Sequence, residues 1–128
     1  MADAPDLPGA DQVVAWWGGW IGFHDFYLLA VPEAGSGDGE LRIHGWVTHP
    51  ETDERGYFVR SKDCVVRVSL RGIRARELTS DELPAIVFSL RIEPDANGWA
   101  VAWDSSYGCE GRIAADRVSL AVEPGLPA

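Results

Sequence analysis

Short apolar segments separated by turn sequences fill most of this chain, and they constrain its fold more than any other feature. Apolar residues often recur at every second position, as in Cys64, Val66, Val68 and Leu70, which is the period of a strand with one buried face. No helical segment is long enough to connect parallel strands. We therefore predict an antiparallel, mostly β fold, either a β-sandwich or a curled β-roll. About eight strands are predicted, at residues 24–31, 41–47, 57–59, 64–70, 87–92, 99–103, 109–113 and 118–122.

The turns and the ends of the chain complete this prediction. Asn97-Gly98 is the strongest hairpin signal, because a type I′ turn needs positive φ at both central positions. The strand before it is predicted to point Ile86, Phe88, Leu90 and Ile92 into the core. Asp11 is predicted to cap a short helix over residues 13–17, which ends at Gly18-Gly19. Residues 1–128 are predicted to form one domain, in which residues 1–10 and 123–128 are flexible tails.

Composition excludes several classes of partner. The net charge of −9 argues against nucleic acid, because phosphates would repel it, and it suits a basic protein partner. The N-terminus lacks the basic and apolar regions of a secretory signal, and the apolar runs are too short to cross a bilayer. We therefore predict a cytoplasmic protein without membrane contact, in which Cys64 and Cys109 are buried, reduced thiols.

Residues 16–25 concentrate tryptophan, glycine and a His24-Asp25 pair, which predicts a tightly packed turn leading into a strand. His24 and Asp25 could join His44 on a paired strand to bind a metal. We favour a structural role, in which Asp25 accepts N–H bonds that fix the turn and His24 packs beside it. The chain also lacks a Gly-x-Ser-x-Gly elbow and a phosphate-binding glycine loop. No metal and no cofactor are therefore predicted.

Trp46 and His44 are predicted on the outward face of their strand. An outward tryptophan is either covered by another element or exposed to a ligand, and cover is the commoner case. The bases of residues 60–76 are predicted to form a solvated face.

Residues 17–25 resemble the motif that leads into the first strand of the immunity protein 50 family, from bacterial polymorphic toxin systems. The most specific part of the resemblance is Phe23-His24-Asp25. Ile21 stands where the family has proline, and Phe26 replaces the usual acidic or alanine residue. The resemblance extends as a pattern to Leu41 and Ile43, to Val66-x-Val68-x-Leu70-x-Gly72-Ile73, and to Gly111-x-Ile113-x-Ala115.

The resemblance implies a mostly β protein that binds and neutralises a cognate toxin without catalysis, as a monomer or a homodimer. Trp17, Trp20, Phe23, His24 and Asp25 would then be structural residues of the motif. Two alternatives are a carbohydrate- or small-ligand-binding module that uses Trp46 or Tyr107, and a metal-dependent hydrolase built on His24 and Asp25. The residues predicted to bind the partner are Trp46, His44, Tyr107, Asp53 and Glu54.

Overall fold

One antiparallel sheet, closed on itself, forms the body of the protein in the computed structural model, which describes residues 4–127. Its strands are ordered β1-β2-β3-β6-β5-β4, and β1 pairs with β4 to close the barrel. The predicted mostly β, antiparallel class is confirmed, but residues 4–127 form six strands, not eight. The elements are α1 (Ala10–Trp17), β1 (Tyr27–Ala30), β2 (Asp38–Thr52), β3 (Phe58–Leu78), β4 (Ala85–Asp95), β5 (Gly98–Tyr107) and β6 (Gly111–Pro124).

Two pairs of predicted strands are continuous, which accounts for the smaller number. The segments at 57–59 and 64–70 fall on β3, except for Tyr57, and those at 109–113 and 118–122 fall on β6, except for Cys109 and Glu110. Lys62 lies between the first two segments with φ 54°, where the β2–β3 register shifts. A bulge of this kind bends a strand without ending it. Polar residues at a bulge can therefore be mistaken, from the sequence, for a loop between two strands.

The predicted inward row of β4 is wrong at Ile86 and Phe88, because Ala85 and Val87 take the buried positions. Register shifts on both sides of Val87 change which residues face the barrel interior. Val87 is fully buried, whereas Phe88 is 56% exposed and packs edge-on against the His24 ring. Leu90 and Ile92 are buried as predicted.

The predicted β4–β5 hairpin forms, but the two central residues of its turn lie one position earlier than predicted. Asp95 pairs with Gly98, so Ala96 and Asn97 occupy the turn, and Ala96 has φ 51°. A Cβ at Gly98 would lie 2.4 Å from the carbonyl oxygen of Ala115. Glycine is therefore needed at this position because β6 approaches closely, and not because of the turn.

The N-terminal segment packs against the open edge of β6. Pairing between β5 and β6 ends at Ala115, and beyond it the amide of Leu120 donates to Pro8 O (2.8 Å). The amide of Val122 donates to Gln12 Oε1 (3.0 Å). Leu7 and Val13 are buried in the core, although Leu7 falls within the predicted N-terminal tail.

The bounds of helix α1 correct the predicted cap. The helix begins after Gly9, which makes no side-chain capping bond, and Asp11 lies within its first turn. Gly18 ends the helix with φ 80°, as predicted from Gly18-Gly19.

Both cysteines are buried and unpaired, as predicted. Burial raises the pKa of the Cys64 thiol from 9.0 to about 11, and burial also raises the pKa of Cys109. Because the pKa of Cys64 is higher in the folded state, unfolding releases a proton above pH 9. We expect the free energy of unfolding to fall between pH 9 and about pH 11, as measured by urea denaturation at a series of pH values.

Cys64→Ala supplies the control, because it lacks the titrating thiol. Its unfolding free energy should change less over this pH range than that of the unmodified chain. Equal pH dependence in the two proteins would contradict the assignment of the effect to Cys64.

Candidate partner-binding surface

The hairpin between β2 and β3 ends in a tight turn that Asp53 organises. Its Oδ1 accepts from the amides of Arg55 (2.8 Å) and Tyr57 (3.1 Å). The amide of Asp53 donates to Tyr57 O (2.7 Å), and Gly56 has φ 84°. Such side-chain-to-backbone bonds are typical of Asx turns. Asp53, predicted as a partner-binding residue, therefore fixes the shape of the exposed tip, and Glu54 lies exposed within it.

Two adjacent aromatic side chains stand exposed beside this turn. Tyr57 is 68% exposed and Phe58 is 64% exposed. Sequence reasoning placed both in a strand without recognising their exposure. Two successive aromatic residues on one strand must point to opposite faces, so at least one of them faces away from a single core. Two successive aromatic residues next to a polar turn were therefore the feature of the sequence that could have predicted an exposed ring.

A groove of about 1120 Å³ separates the hairpin from the loop before β1. We call it the hairpin groove. Its lining brings together the hairpin tip, the His24-Asp25 pair and Trp46, which lie far apart in the sequence. The residues that line it are His24, Asp25, Trp46, Thr48, Asp53, Arg55, Tyr57, Phe58, Val59 and Arg60.

Trp46 forms a buried part of this lining. Its side chain is only 8% exposed, and the guanidinium of Arg60 lies 4.3 Å from the ring centroid. Phe26 and Tyr27 pack against the same ring at 5.0 and 5.4 Å between centroids. Trp46 is therefore covered, which is the case favoured from the sequence, and Arg60 is one of the covering residues. Its ring does not stand on a separate outward face but belongs to the core cluster.

His44 lies beside Trp46 and is also buried. Its ring lies 5.4 Å from that of Trp46, and its Nε2 is 2.8 Å from Asp63 Oδ1. His44 is thus paired with Asp63 on β3, whereas His24 contacts Phe88 on β4, so each of the two histidines has a separate partner. Within residues 4–127, no three His, Cys, Asp or Glu side chains are grouped so that they could hold a metal ion.

The loop that carries His24 has a constrained backbone. Phe23 and Asp25 have φ values of 61° and 69°, in the left-handed region that side chains rarely adopt. Backbone bonds secure the loop to β4: the Asp25 amide donates to Val87 O (2.8 Å), and Leu90 donates to Gly22 O (2.9 Å). His24 Nδ1 donates to Phe88 O (2.8 Å). Strain of this kind is often found where a side chain is held for binding.

Three residues of the predicted structural motif pack together. Phe23 is buried, and its ring contacts those of Trp17 and Trp20 at 6.4 and 5.9 Å. Trp17 Nε1 also donates to Trp46 O (2.9 Å), which ties the end of α1 to β2. The side chains of His24 and Asp25 are instead exposed, at 62% and 67%.

The predicted role of the Asp25 carboxylate is wrong. None of the hydrogen bonds found within residues 4–127 ends on it, and its Oδ2 lies 3.5 Å from His24 Nε2. The indole N–H groups at the end of α1 donate elsewhere, that of Trp16 to Lys62 O and that of Trp17 to Trp46 O. The Asp25 amide, and not its carboxylate, secures the turn.

This correction changes the expected effect of substituting Asp25. Asp25→Gly should be about 1 kcal/mol more stable than Asp25→Ala, because glycine adopts a positive φ without the Cβ clash. Urea denaturation of the two variants measures the difference. An Asp25→Ala variant at least as stable as Asp25→Gly would contradict the left-handed backbone assigned to this residue.

The basic and acidic side chains of the hairpin groove differ in whether they have partners. Arg55 and Arg60 have no Asp or Glu oxygen within 4.0 Å among the residues described. Of the two carboxylates in the groove, Asp53 accepts from backbone amides, and Asp25 lies exposed with its Oδ2 3.5 Å from His24 Nε2. The groove therefore offers two arginines, an exposed imidazole and two exposed aromatic rings to a docking molecule.

Tyr107 lies away from this surface. It ends β5, and antiparallel pairing places that end of the sheet opposite the β2–β3 hairpin. Its side chain is 56% exposed and its hydroxyl donates to Glu82 Oε1, which raises the pKa of Tyr107. The structure thus brings Trp46, Asp53 and Asp25 together and leaves Tyr107 apart.

Comparison with family models, curated proteins and solved structures gives no significant match to this chain. Among residues 4–127, no helix has the length and apolar character needed to cross a bilayer.

Proposed function

We propose that this chain is a non-enzymatic immunity-type protein that binds a cognate bacterial toxin through the hairpin groove and neutralises it. The observation that carries the proposal is the exposure of Tyr57 and Phe58 beside a fixed turn. Aromatic side chains of this kind supply much of the binding energy when a partner buries them. In this role the protein acts in the cytoplasm, where toxin and inhibitor are made together.

The rigidity of the surface supports the proposal. The Asp53 turn fixes the hairpin tip, and the His24 loop is secured to β4 by backbone bonds. Lys62 adds a reciprocal contact, in which its Nζ donates to Trp16 O (2.8 Å) and its carbonyl accepts from Trp16 Nε1 (3.1 Å). A surface that is ordered before binding loses less entropy on association.

Charge supports a basic partner. The net charge of −9 attracts a basic protein at long range and speeds encounter. Arg55 and Arg60 then require carboxylates on the partner at the point of contact, where short-range pairing determines the register. Long-range attraction and local pairing therefore involve different groups of the same partner.

The direct test is to produce this chain together with the product of the adjacent reading frame. We expect one complex of fixed stoichiometry by size-exclusion chromatography with light scattering. We also expect that this chain relieves growth inhibition by that product. Higher salt should slow the association, because it screens the net charge.

Two results would contradict the proposal. One is a folded chain that forms no complex with a neighbouring product shown to be toxic. The other is relief of toxicity by catalytic amounts of the chain, with loss of that effect in His24→Ala. The second result would instead favour the hydrolase alternative.

A further inference from the structure

A second groove lies at the same end of the barrel, between the loop after α1 and the β4–β5 hairpin. It encloses about 660 Å³, within the range of small-molecule sites. Trp20 and Trp99 both line it, and both indoles pack partly buried against the core. Ile21, Ile92 and Pro94 supply further apolar surface. We call it the indole groove.

Charged groups around the indole groove are mainly acidic. Asp6 and Glu93 line it, and both are exposed. Within the part of the chain that the structure describes, no Lys, Arg or His nitrogen lies within 4.0 Å of either carboxylate. Arg91 is the one base in the lining, and its guanidinium already contacts Asp104 Oδ2 (3.3 Å) and Ser89 Oγ (3.2 Å).

We propose that the indole groove binds a small organic cation that carries an alkylated ammonium group. Indole faces attract such cations through the quadrupole of the ring, and tryptophan does so best among the aromatic residues. The carboxylates of Asp6 and Glu93 add an attraction, since neither forms an ion pair among the described residues and the guanidinium of Arg91 in the lining is paired with Asp104. An alkylated ammonium group also carries apolar surface, which suits the aliphatic walls.

Other ligand classes fit the indole groove less well. An anion would meet two carboxylates and a chain with a net charge of −9. A small inorganic cation keeps its water and prefers oxygen ligands, whereas most of this lining is apolar. A neutral apolar molecule would gain nothing from the two carboxylates. A neutral molecule of the same shape is therefore the control ligand.

Choline and 3,3-dimethylbutan-1-ol provide that comparison, because they have the same shape and differ in the charge of one atom. We expect choline to bind saturably in calorimetry and to shift the indole N–H signals of Trp20 and Trp99 in NMR spectra. The neutral alcohol should bind at least about fivefold more weakly, the size of effect expected of a cation–π contact. Equal binding of the two molecules would overturn the proposal, as would no binding of choline.

Two substitutions locate the site. Glu93→Gln should weaken choline binding about threefold or more, because it removes a carboxylate and keeps the shape of the side chain. Glu51→Gln is the matched control, since it removes the same charge from an exposed residue of β2 that does not line the indole groove, and it should leave binding unchanged. Trp99→Leu keeps an apolar side chain against the core but removes the indole face, and it should abolish discrimination between choline and the alcohol.

NMR spectra establish that each variant is folded, and calorimetry measures its affinity for choline. Each variant is first shown to be folded by its amide spectrum, and a Trp99→Leu variant that fails to fold is replaced by Trp20→Leu. Choline binding that survives both Glu93→Gln and the tryptophan substitution would place the ligand elsewhere and overturn the proposal. None of these outcomes depends on the proposed toxin partner, so the two proposals fail separately.

Discussion

Trp103→Ala is expected to lower the free energy of unfolding by about 3–5 kcal/mol, the usual loss for a large aromatic ring removed from a core. Trp103 is 1% exposed and is the largest fully buried side chain of the described residues. Its Nε1 also donates to Cys109 O (3.0 Å), which links β5 to the turn before β6. Urea denaturation measures the change, with the slope of the transition compared to confirm two-state unfolding.

Trp103→Phe separates the loss of volume from the loss of the hydrogen bond. Cys109 O also accepts from Ser105 Oγ, so it retains a donor when the indole N–H is removed. The phenylalanine variant should therefore lose less stability than the alanine variant, by about 2 kcal/mol or more. An alanine variant within about 1 kcal/mol of the unmodified chain would contradict the burial of this ring.

The fold class could be predicted because the alternating pattern is local. Cys64, Val66, Val68 and Leu70 face inward as expected, since β3 pairs without interruption with both of its neighbours over this stretch. At Phe88 the same reasoning fails, because bulges beside Val87 shift the register. A bulge depends on the partner strand, and so the alternation of one strand does not reveal it.

Closure of the barrel could not be predicted for a related reason. It depends on the four-residue strand β1, in which Tyr27 pairs with both His44 and Ile86. These pairings bring together segments that are distant in the sequence, and no local pattern specifies them. Without closure, the same strands are compatible with a sandwich or an open roll.

The candidate site was predicted only in part. Alternation with Ile43 and Gly45 predicted an outward Trp46, but the β2–β3 register shifts beside it, and its ring joins the core cluster under the guanidinium of Arg60. The His24-Asp25 pair was identified from composition alone, whereas its exposure depends on two residues with positive φ. The left-handed backbone at Phe23 has no signal in residue type, and aspartate at position 25 is only a weak one, because glycine is the residue that usually adopts this conformation.

The double variant Tyr57→Ser/Phe58→Ser is expected to weaken binding of the toxin partner by about 100-fold or more. Both rings are mostly exposed in the free protein, so their removal takes little buried surface from the core. The Asp53 turn uses only the backbone of Tyr57 and should persist. Binding is measured by calorimetry against the co-produced partner, and unfolding by urea should differ by less than about 0.5 kcal/mol.

Tyr107→Ser is the matched control for this prediction. It removes another aromatic ring of similar exposure, but at the opposite end of the sheet, and it should leave affinity unchanged. If Tyr107→Ser weakens the complex and the hairpin variant does not, the partner binds near β5 and the hairpin groove is the wrong surface. Because both residues are exposed, loss of fold cannot explain either result, and the pair of variants determines which end of the barrel the partner contacts.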